Sequence, residues 1–234
     1  MENEKYFNLV PSIGGSFGYA WRKMFGKAFL FLLVTVIIVG LLNGPSAGAN
    51  IKFDGDYNIS WLLLFPIIIF GLAYSFLFLP VIKYGENYLF LKAMRDEEFD
   101  LKILFEGFKT KYLNIILANL IVTALVIIGM VMLIIPGIII ACRLVLVPFL
   151  VMDKNLDPMK AVEKSWQMTR GHGWEVFFMA ILSAFIFIGG VLVFIVGAIV
   201  SIIWIHAAFA TFYQSIINVK DKENPIPILG VNEE

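Results

Sequence analysis

Charge is scarce in this 234-residue chain. Only 15% of its residues are Asp, Glu, Lys or Arg, against 60% hydrophobic, whereas an ordinary soluble domain carries about 25% charged residues. That shortage excludes the soluble globular class. The 18 basic and 18 acidic residues balance, so no strongly basic face is left over for nucleic acid. Cysteine is nearly absent as well: Cys142 stands alone, which excludes an intrachain disulfide. With two histidines in the chain, there is no His-Glu-x-x-His pattern for zinc. Nor is there a pair of carboxylates within the apolar runs for an aspartyl protease, or a Gly-rich lysine loop for phosphates. No metal, no cofactor and no enzymatic activity are expected.

What the chain has in abundance is oil. Runs without Asp, Glu, Lys or Arg extend over 28–51, 57–82, 112–142 and 176–219, and a transmembrane helix needs roughly 20 apolar residues. The last run is long enough for two helices. The third reaches across Pro136-Gly137, a pair that breaks or turns a helix, and the apolar stretch then lasts until Asp153. The expected fold is therefore all-α: a polytopic membrane bundle with spans at 28–43, 61–82, 112–134, 137–152, 174–195 and 198–217, followed by a flexible tail over 220–234. Ala47-Gly48-Ala49 imitates a signal-peptidase site. A leader of 27 residues with mixed charge is too long for an ordinary n-region, so the first span is read as uncleaved.

The few cations are not scattered. Segments 1–27, 83–111, 153–173 and 218–234 hold 16 of the 18 Lys and Arg residues, and of the other two, Lys52 alone lies in an outer connection. This positive-inside pattern puts both termini in the cytoplasm. The remaining cation, Arg143, lies inside an apolar run.

A weak threefold repeat underlies the layout. Phe17, Ala20, Trp21, Met24 and Ala28 share one helical face, as do Leu101, Leu104, Phe105, Phe108 and Tyr112, and Val162, Ser165, Trp166 and Thr169. An aromatic recurs at Trp21, Phe105 and Trp166. Six positions on, a basic or titratable residue recurs at Lys27, Lys111 and His172. The expected unit is an amphipathic helix in the cytoplasmic interface, an anchoring aromatic, a basic exit and a transmembrane hairpin. Asp157 and Pro158 suit the cap and first residue of the third interfacial helix. Gly129 and Gly137, eight apart like Gly189 and Gly197, mark the second and third hairpins. Small residues at Ala180 and Ala184, Gly197 and Ser201, and Ala207 and Thr211 have the spacing that lets helices approach.

Arg143 is the first candidate for a site. It lies about 10 Å below the expected turn at Pro136 at 1.5 Å per residue. Structurally it would snorkel to the outer headgroups or cap the helix ends freed at Pro136. Functionally it would hold a lipid phosphate or small anion, with His206 and Asn119 as neighbours. His206 is otherwise a neutral imidazole bonded across helices, or a proton relay; Asn119 and Gln214 would join helices by hydrogen bonds. Gly44-Pro45-Ser46-Ala47-Gly48 matches the G-x-S-x-G nucleophile pattern, but that motif needs a strand, a turn and a helix, so a plain outer loop is expected.

The order Ile135-Pro136-Gly137-Ile138, Arg143, Phe149, Asp153, Ala161, Ser165-Trp166 and Thr169-Arg170-Gly171-His172 resembles a bacterial integral-membrane family. It is similar to the membrane domain ahead of some glycerophosphodiester phosphodiesterases and to YciC-like inner-membrane proteins. The likeness covers roughly residues 100–217. It implies a six-helix polytopic protein of the bacterial cytoplasmic membrane and no phosphodiester cleavage, since six spans leave no room for a catalytic barrel. The functional expectation is a lipid-interacting or scaffolding protein whose basic, aromatic-anchored segments meet anionic headgroups, with a second copy or another membrane protein as its protein partner. The alternative is a small transporter for an anionic or amphipathic solute, in which Asn119, Arg143, His206 and Gln214 would line one path. The Pro-x-Asp/Glu-x-x-Lys/Arg signature of the mitochondrial carriers, similar in outline, is missing from the chain.

Overall fold

The computed structural model describes residues 9–26, 28–47 and 61–223, and every regular element among them is helical. In chain order these are α1 (Ile13–Met24), α2 (Phe29–Ala47), α3 (Trp61–Ala73), α4 (Leu79–Met94), α5 (Ile103–Thr110), α6 (Tyr112–Met132), α7 (Ile134–Leu144), α8 (Val147–Asp153), α9 (Pro158–Met168), α10 (Gly173–Leu192) and α11 (Phe194–Glu223). A π-helical turn, Tyr74–Phe78, joins α3 to α4. Five helical stretches are long and apolar enough to cross a membrane: Ile68–Met94, Tyr112–Met132, Ile134–Asp153, Gly173–Leu192 and Val196–Val219. A sixth arises if α1 and α2, bent by 104° at their junction, count as one span.

Several boundaries differ from the sequence expectation. The second span does not stop at 82, because the apolar face that contains Val81 and Ile82 resumes at Leu89, Phe90 and Ala93. Lys83 stays exposed while that face keeps packing. Helix therefore continues to Met94, with Lys83, Glu86 and Lys92 inside a stretch assigned to the cytoplasm. The second hairpin turns at Leu133, whose backbone is extended (φ −165°, ψ 146°), and not at Pro136-Gly137. Pro136 occupies the first turn of α7, where a missing N–H costs nothing. Gly137 instead lets the two arms touch: a Cβ there would lie 2.8 Å from Met130 N. In the third hairpin the close approach to Gly197 is made by Gly190, not Gly189, since a Cβ on Gly190 would lie 2.6 Å from Gly197 O whereas Gly189 faces open space. Ala180 and Ala184 are exposed; α10 packs through Val176, Met179 and Ser183. The expected tail begins helically, because α11 runs to Glu223; residues 224–234 lie outside the described set. Gly44–Ala47 likewise continue α2, where Asn43 Nδ2 donates to Val39 O at 2.7 Å and closes a turn. The nucleophile-like match thus begins in a helix with no strand before it, and Gly48 lies outside the described residues.

The core is built from α4, α8 and the second half of α11. Helix α4 is buried almost all round, from Leu79 to Met94. Val147, Phe149, Leu150, Val151 and Met152 of α8 and Ala207, Ala208, Ala210, Phe212 and Tyr213 of α11 are buried with it, and Phe149 stacks on Tyr213 with centroids 5.0 Å apart. Tyr112–Met132 and Gly173–Leu192 are outer helices, the first buried only at Ile115, Ala118 and Gly129 and the second only at Val176, Met179 and Ser183. Their exposed faces are aliphatic and aromatic, a composition that suits hydrocarbon.

Three short helices, α1, α5 and α9, each lie against a neighbouring helix of the bundle. Helix α5 packs on α4, α9 on α8 as well as α6, and α1 on α11, which closes the series into a ring. Trp21, Phe105 and Trp166 have similar exposures, 43%, 45% and 43%. The buried faces are Phe17, Ala20 and Met24 on α1, Ile103, Leu104 and Gly107 on α5, and Ala161, Ser165 and Met168 on α9. Asp157 does start α9 with Pro158 next, but its side chain pairs with Lys160 at 3.1 Å instead of capping the helix. The α1–α11 closure rests on Trp204, whose Nε1 donates to Phe17 O at 2.9 Å and whose ring lies 4.5 Å from that of Trp21. Trp204→Phe keeps an aromatic ring and leaves that carbonyl without its donor, so it should cost about 1 kcal/mol. Thermal unfolding in detergent checks this; an unchanged midpoint would mean the bond contributes nothing.

Candidate functional site

Polar groups gather at three places within the bundle, and each is set by where a helix ends or breaks. The first lies where α4 and α8 stop beside α11. Both stop through a residue in the left-handed region, Asp96 (φ 54°) after α4 and Asn155 (φ 50°) after α8, the residue types that tolerate it. Arg95 then reaches Asp153 through two bonds of 2.5 and 2.9 Å. It also donates to Gln214 Oε1 at 2.9 and 2.6 Å. Tyr213 OH donates to Asp153 at 3.0 Å, and Gln214 passes the chain on to Asn218 at 2.8 Å. Arg95 and Asp153 are 13% and 8% exposed. This network ties the three inner helices together and offers no open face for a ligand. Gln214 thus serves as interhelical glue, as expected.

Lys111 belongs to the same end of the bundle. Its Nζ donates to Met152 O at 2.7 Å and satisfies a carbonyl that the end of α8 leaves free. Burial holds its ammonium below the ordinary lysine range, with Glu106 and Asp153 opposing. Lys111 therefore points inward, to the end of α8. Lys27 lies outside the described residues.

Arg143 forms the second place. From the sequence it is expected to turn towards Pro136 and the outer headgroups. Here it points to the opposite, charged end of its helix: its guanidinium lies 5.4 Å from the Trp166 ring centroid, and a Cβ on Gly173 would be 3.8 Å from its Nε. It caps nothing at Pro136. Its own carbonyl accepts from Ser165 Oγ at 2.8 Å and Thr169 Oγ1 at 3.2 Å, so the start of the Ser165-Trp166…Thr169 stretch is fastened to the middle of the fourth span. The carbonyl has both bonds because α7 ends at Leu144 and α8 starts only at Val147. Beside the guanidinium is a cavity of about 410 Å³ lined by Ile135, Ile139, Cys142, Gly173, Trp174 and Phe177 among others. Arg143 Nη1 and His172 Nδ1 are buried, and among the described residues neither has a hydrogen-bond partner. His172 sits just before α10, and its Nδ1 faces protein, not solvent.

The third place is a separate cavity of about 450 Å³ lined by Tyr84, Asn87, Asn119, Phe149, His206 and Phe209 among others. Asn119 and His206 are thus brought together as expected, but Arg143 is not with them. With Gln214 in the Arg95 network, the four residues of the transport alternative fall in three places and line no common path. Glu86, which the sequence reading passed over, lies behind His206 with Oε1 3.9 Å from His206 Nε2. The sequence signal for it was the resumption of the apolar period after Lys83.

Among the described residues there is no group of three or more His, Cys, Asp or Glu side chains that could hold a metal ion. No family model, no curated protein and no solved structure matches this chain. What the fold defines is an all-helical protein of the multi-pass membrane class.

Proposed function

We propose that this is a non-enzymatic protein of the bacterial cytoplasmic membrane that binds anionic lipid at Arg143, as a lipid-interacting or scaffolding component. In this reading it crosses the bilayer six times in three hairpins with both termini inside. Helices α1, α5 and α9 lie in the inner interface, anchored by Trp21, Phe105 and Trp166. The distribution of cations supports that orientation.

The observation that carries the lipid assignment is Arg143 Nη1, a buried cationic donor with no hydrogen-bond partner among the described residues. Leaving such a group unpaired costs about 1–3 kcal/mol or more, and a phosphate oxygen is the partner a guanidinium fits best. The cavity beside it is amphiphilic: apolar residues line it together with Arg143. Ile135, Ile139 and Trp174 in its lining are 72%, 50% and 72% exposed, and Arg143 lines the same cavity. An acyl chain fits the aliphatic wall and a headgroup phosphate reaches the guanidinium.

The test is to purify the protein and Arg143→Ala, extract the retained lipid, and compare phosphatidylglycerol by mass spectrometry. Losing a charge-assisted bond should lower retention roughly tenfold. Equal retention in both would remove this role.

A further inference from the structure

The second cavity, unlike the first, has no Asp, Glu, Lys or Arg in its lining. All of its lining residues lie in four stretches long and apolar enough to cross a membrane: Ile68–Met94, Tyr112–Met132, Ile134–Asp153 and Val196–Val219. The polar groups it presents are the amides of Asn87 and Asn119, the phenol of Tyr84 and the imidazole of His206. From the sequence, Asn119 is expected to join helices by a hydrogen bond. Among the described residues, however, the side chains of Asn87, Asn119 and Tyr84 form none, and the 3.9 Å between His206 Nε2 and Glu86 Oε1 exceeds hydrogen-bond length. Nor is any polar atom of these four side chains sealed inside the protein without a partner. They open onto the cavity, in a setting where an unmet amide is costly.

The four groups share a narrow range of depth. Arg95 bonds Asp153 and Lys111 bonds Met152 O, so the end of α4, the start of α6 and the end of α8 are level with one another. Counted from there at about 1.5 Å per residue, Asn87 lies about 10 Å along α4 and Asn119 about 10 Å along α6. Tyr84 lies about 5 Å deeper on α4, and His206 is about 12 Å from Gln214, the residue of α11 that Arg95 also bonds. Beyond that level the lining is apolar, with Val122 and Val126 on α6 and Ala141 on α7.

An ion placed here finds no carboxylate, ammonium or guanidinium in the lining to pair with. An uncharged molecule finds donors and acceptors close together, the rings of Phe149 and Phe209 in the same lining, and an apolar continuation. At about 450 Å³ the space is in the range of small-molecule sites, which combine apolar walls with a few placed polar groups. We propose that this cavity binds one uncharged amphiphile, its hydrogen-bonding head among Asn87, Asn119, Tyr84 and His206 and its apolar part along Val122 and Val126. Two sources have that chemistry: a diacylglycerol, through its hydroxyl and ester carbonyls, and a quinone, through its two ring carbonyls. The proposal is independent of the lipid site at Arg143, which lies in the other cavity and depends on a phosphate.

The probes are dioctanoylglycerol, a decyl-substituted benzoquinone and dioctanoyl phosphatidic acid, each titrated into detergent-solubilised protein and read by native mass spectrometry. Wild type and Arg143→Ala are both used, the second so that the anion-binding cavity is silent whether or not the lipid reading holds. In Arg143→Ala, dioctanoylglycerol or the quinone should bind at least roughly tenfold more tightly than the phosphatidic acid, whose added charge has no counter-charge in the lining. The tighter of the two uncharged probes identifies the source. Asn119→Leu should weaken that binding roughly tenfold while leaving the thermal midpoint unchanged or higher, because it removes an amide that has no protein partner. Val126→Trp, which fills the apolar part and touches no polar group, should weaken it as well. Should neither cavity variant fold, the comparison of charged with uncharged probes on the native lining decides the matter. Failure of both uncharged probes to bind, equal affinity for the phosphatidic acid in Arg143→Ala, or binding unaffected by both cavity substitutions would each overturn the proposal.

Discussion

Asp153→Ala should destabilise the protein by about 3–5 kcal/mol, the usual consequence of removing one partner from a buried ion pair. Asp153 accepts two bonds from Arg95 and one from Tyr213, and the alanine variant removes the ion-pair partner of a side chain that is 13% exposed, with Gln214 and, at 3.6 Å, Glu97 among the acceptors that remain. Because the pair joins α4 to α8 and Gln214 joins both to α11, the loss should appear as cooperative unfolding and not as local fraying. Replacing Arg95 and Asp153 together by apolar residues removes the stranded charge and should cost much less than the two single losses added. Denaturation of detergent-solubilised protein followed by circular dichroism measures all three variants. A loss below about 1 kcal/mol for Asp153→Ala, the value of an exposed pair, would mean that the network is solvated.

The second large effect is expected at Gly85, where α5 rests on α4. A Cβ there would lie 2.7 Å from Leu104 O, 2.8 Å from Leu104 Cα and 2.9 Å from Ile103 O. These are backbone atoms, which cannot swing aside as a side-chain end can. Gly85→Val should therefore lift α5 from α4 and expose Ile103 and Leu104, at about 3 kcal/mol, the upper part of the range for overpacked sites. Gly85→Ala should do the same to a smaller degree. Hydrogen exchange across 99–110 reads the result: faster exchange confined to α5 is expected, and unaltered protection there would contradict the close approach.

Much of this architecture was legible in the chain because it is dictated by hydrophobicity and length. Apolar runs locate the helices, and Trp21, Phe105 and Trp166 lie on three short helices with similar exposures. Charge was a poorer guide to where helices end. Lys83 ends an apolar run without ending α4, since one exposed cation on a helix leaves the opposite face free to pack. Pro136 attracted the turn that Leu133 makes, because proline in a first helical turn breaks nothing. The polar sites were harder still. Arg95 and Asp153 come from different hairpins, and only the packing of α4 against α8 brings them within a bond. Arg143 was visible as an anomaly, but its direction depends on where Trp166 and Gly173 lie. Glu86 was hidden by the same misplaced boundary that hid the end of α4.

The most direct test of the central claim concerns the segment between α4 and α5. Arg95, Asp96 and Asp100 lie there, and the account puts this end of the bundle on the cytoplasmic side. With Cys142 replaced by Ser, Asp100→Cys places a single thiol at a site whose native side chain is 61% exposed. In intact cells a membrane-impermeant maleimide should leave that thiol unmodified, and permeabilisation should make it fully reactive. Labelling in intact cells would place the Arg95 end outside and contradict the orientation on which the lipid reading rests.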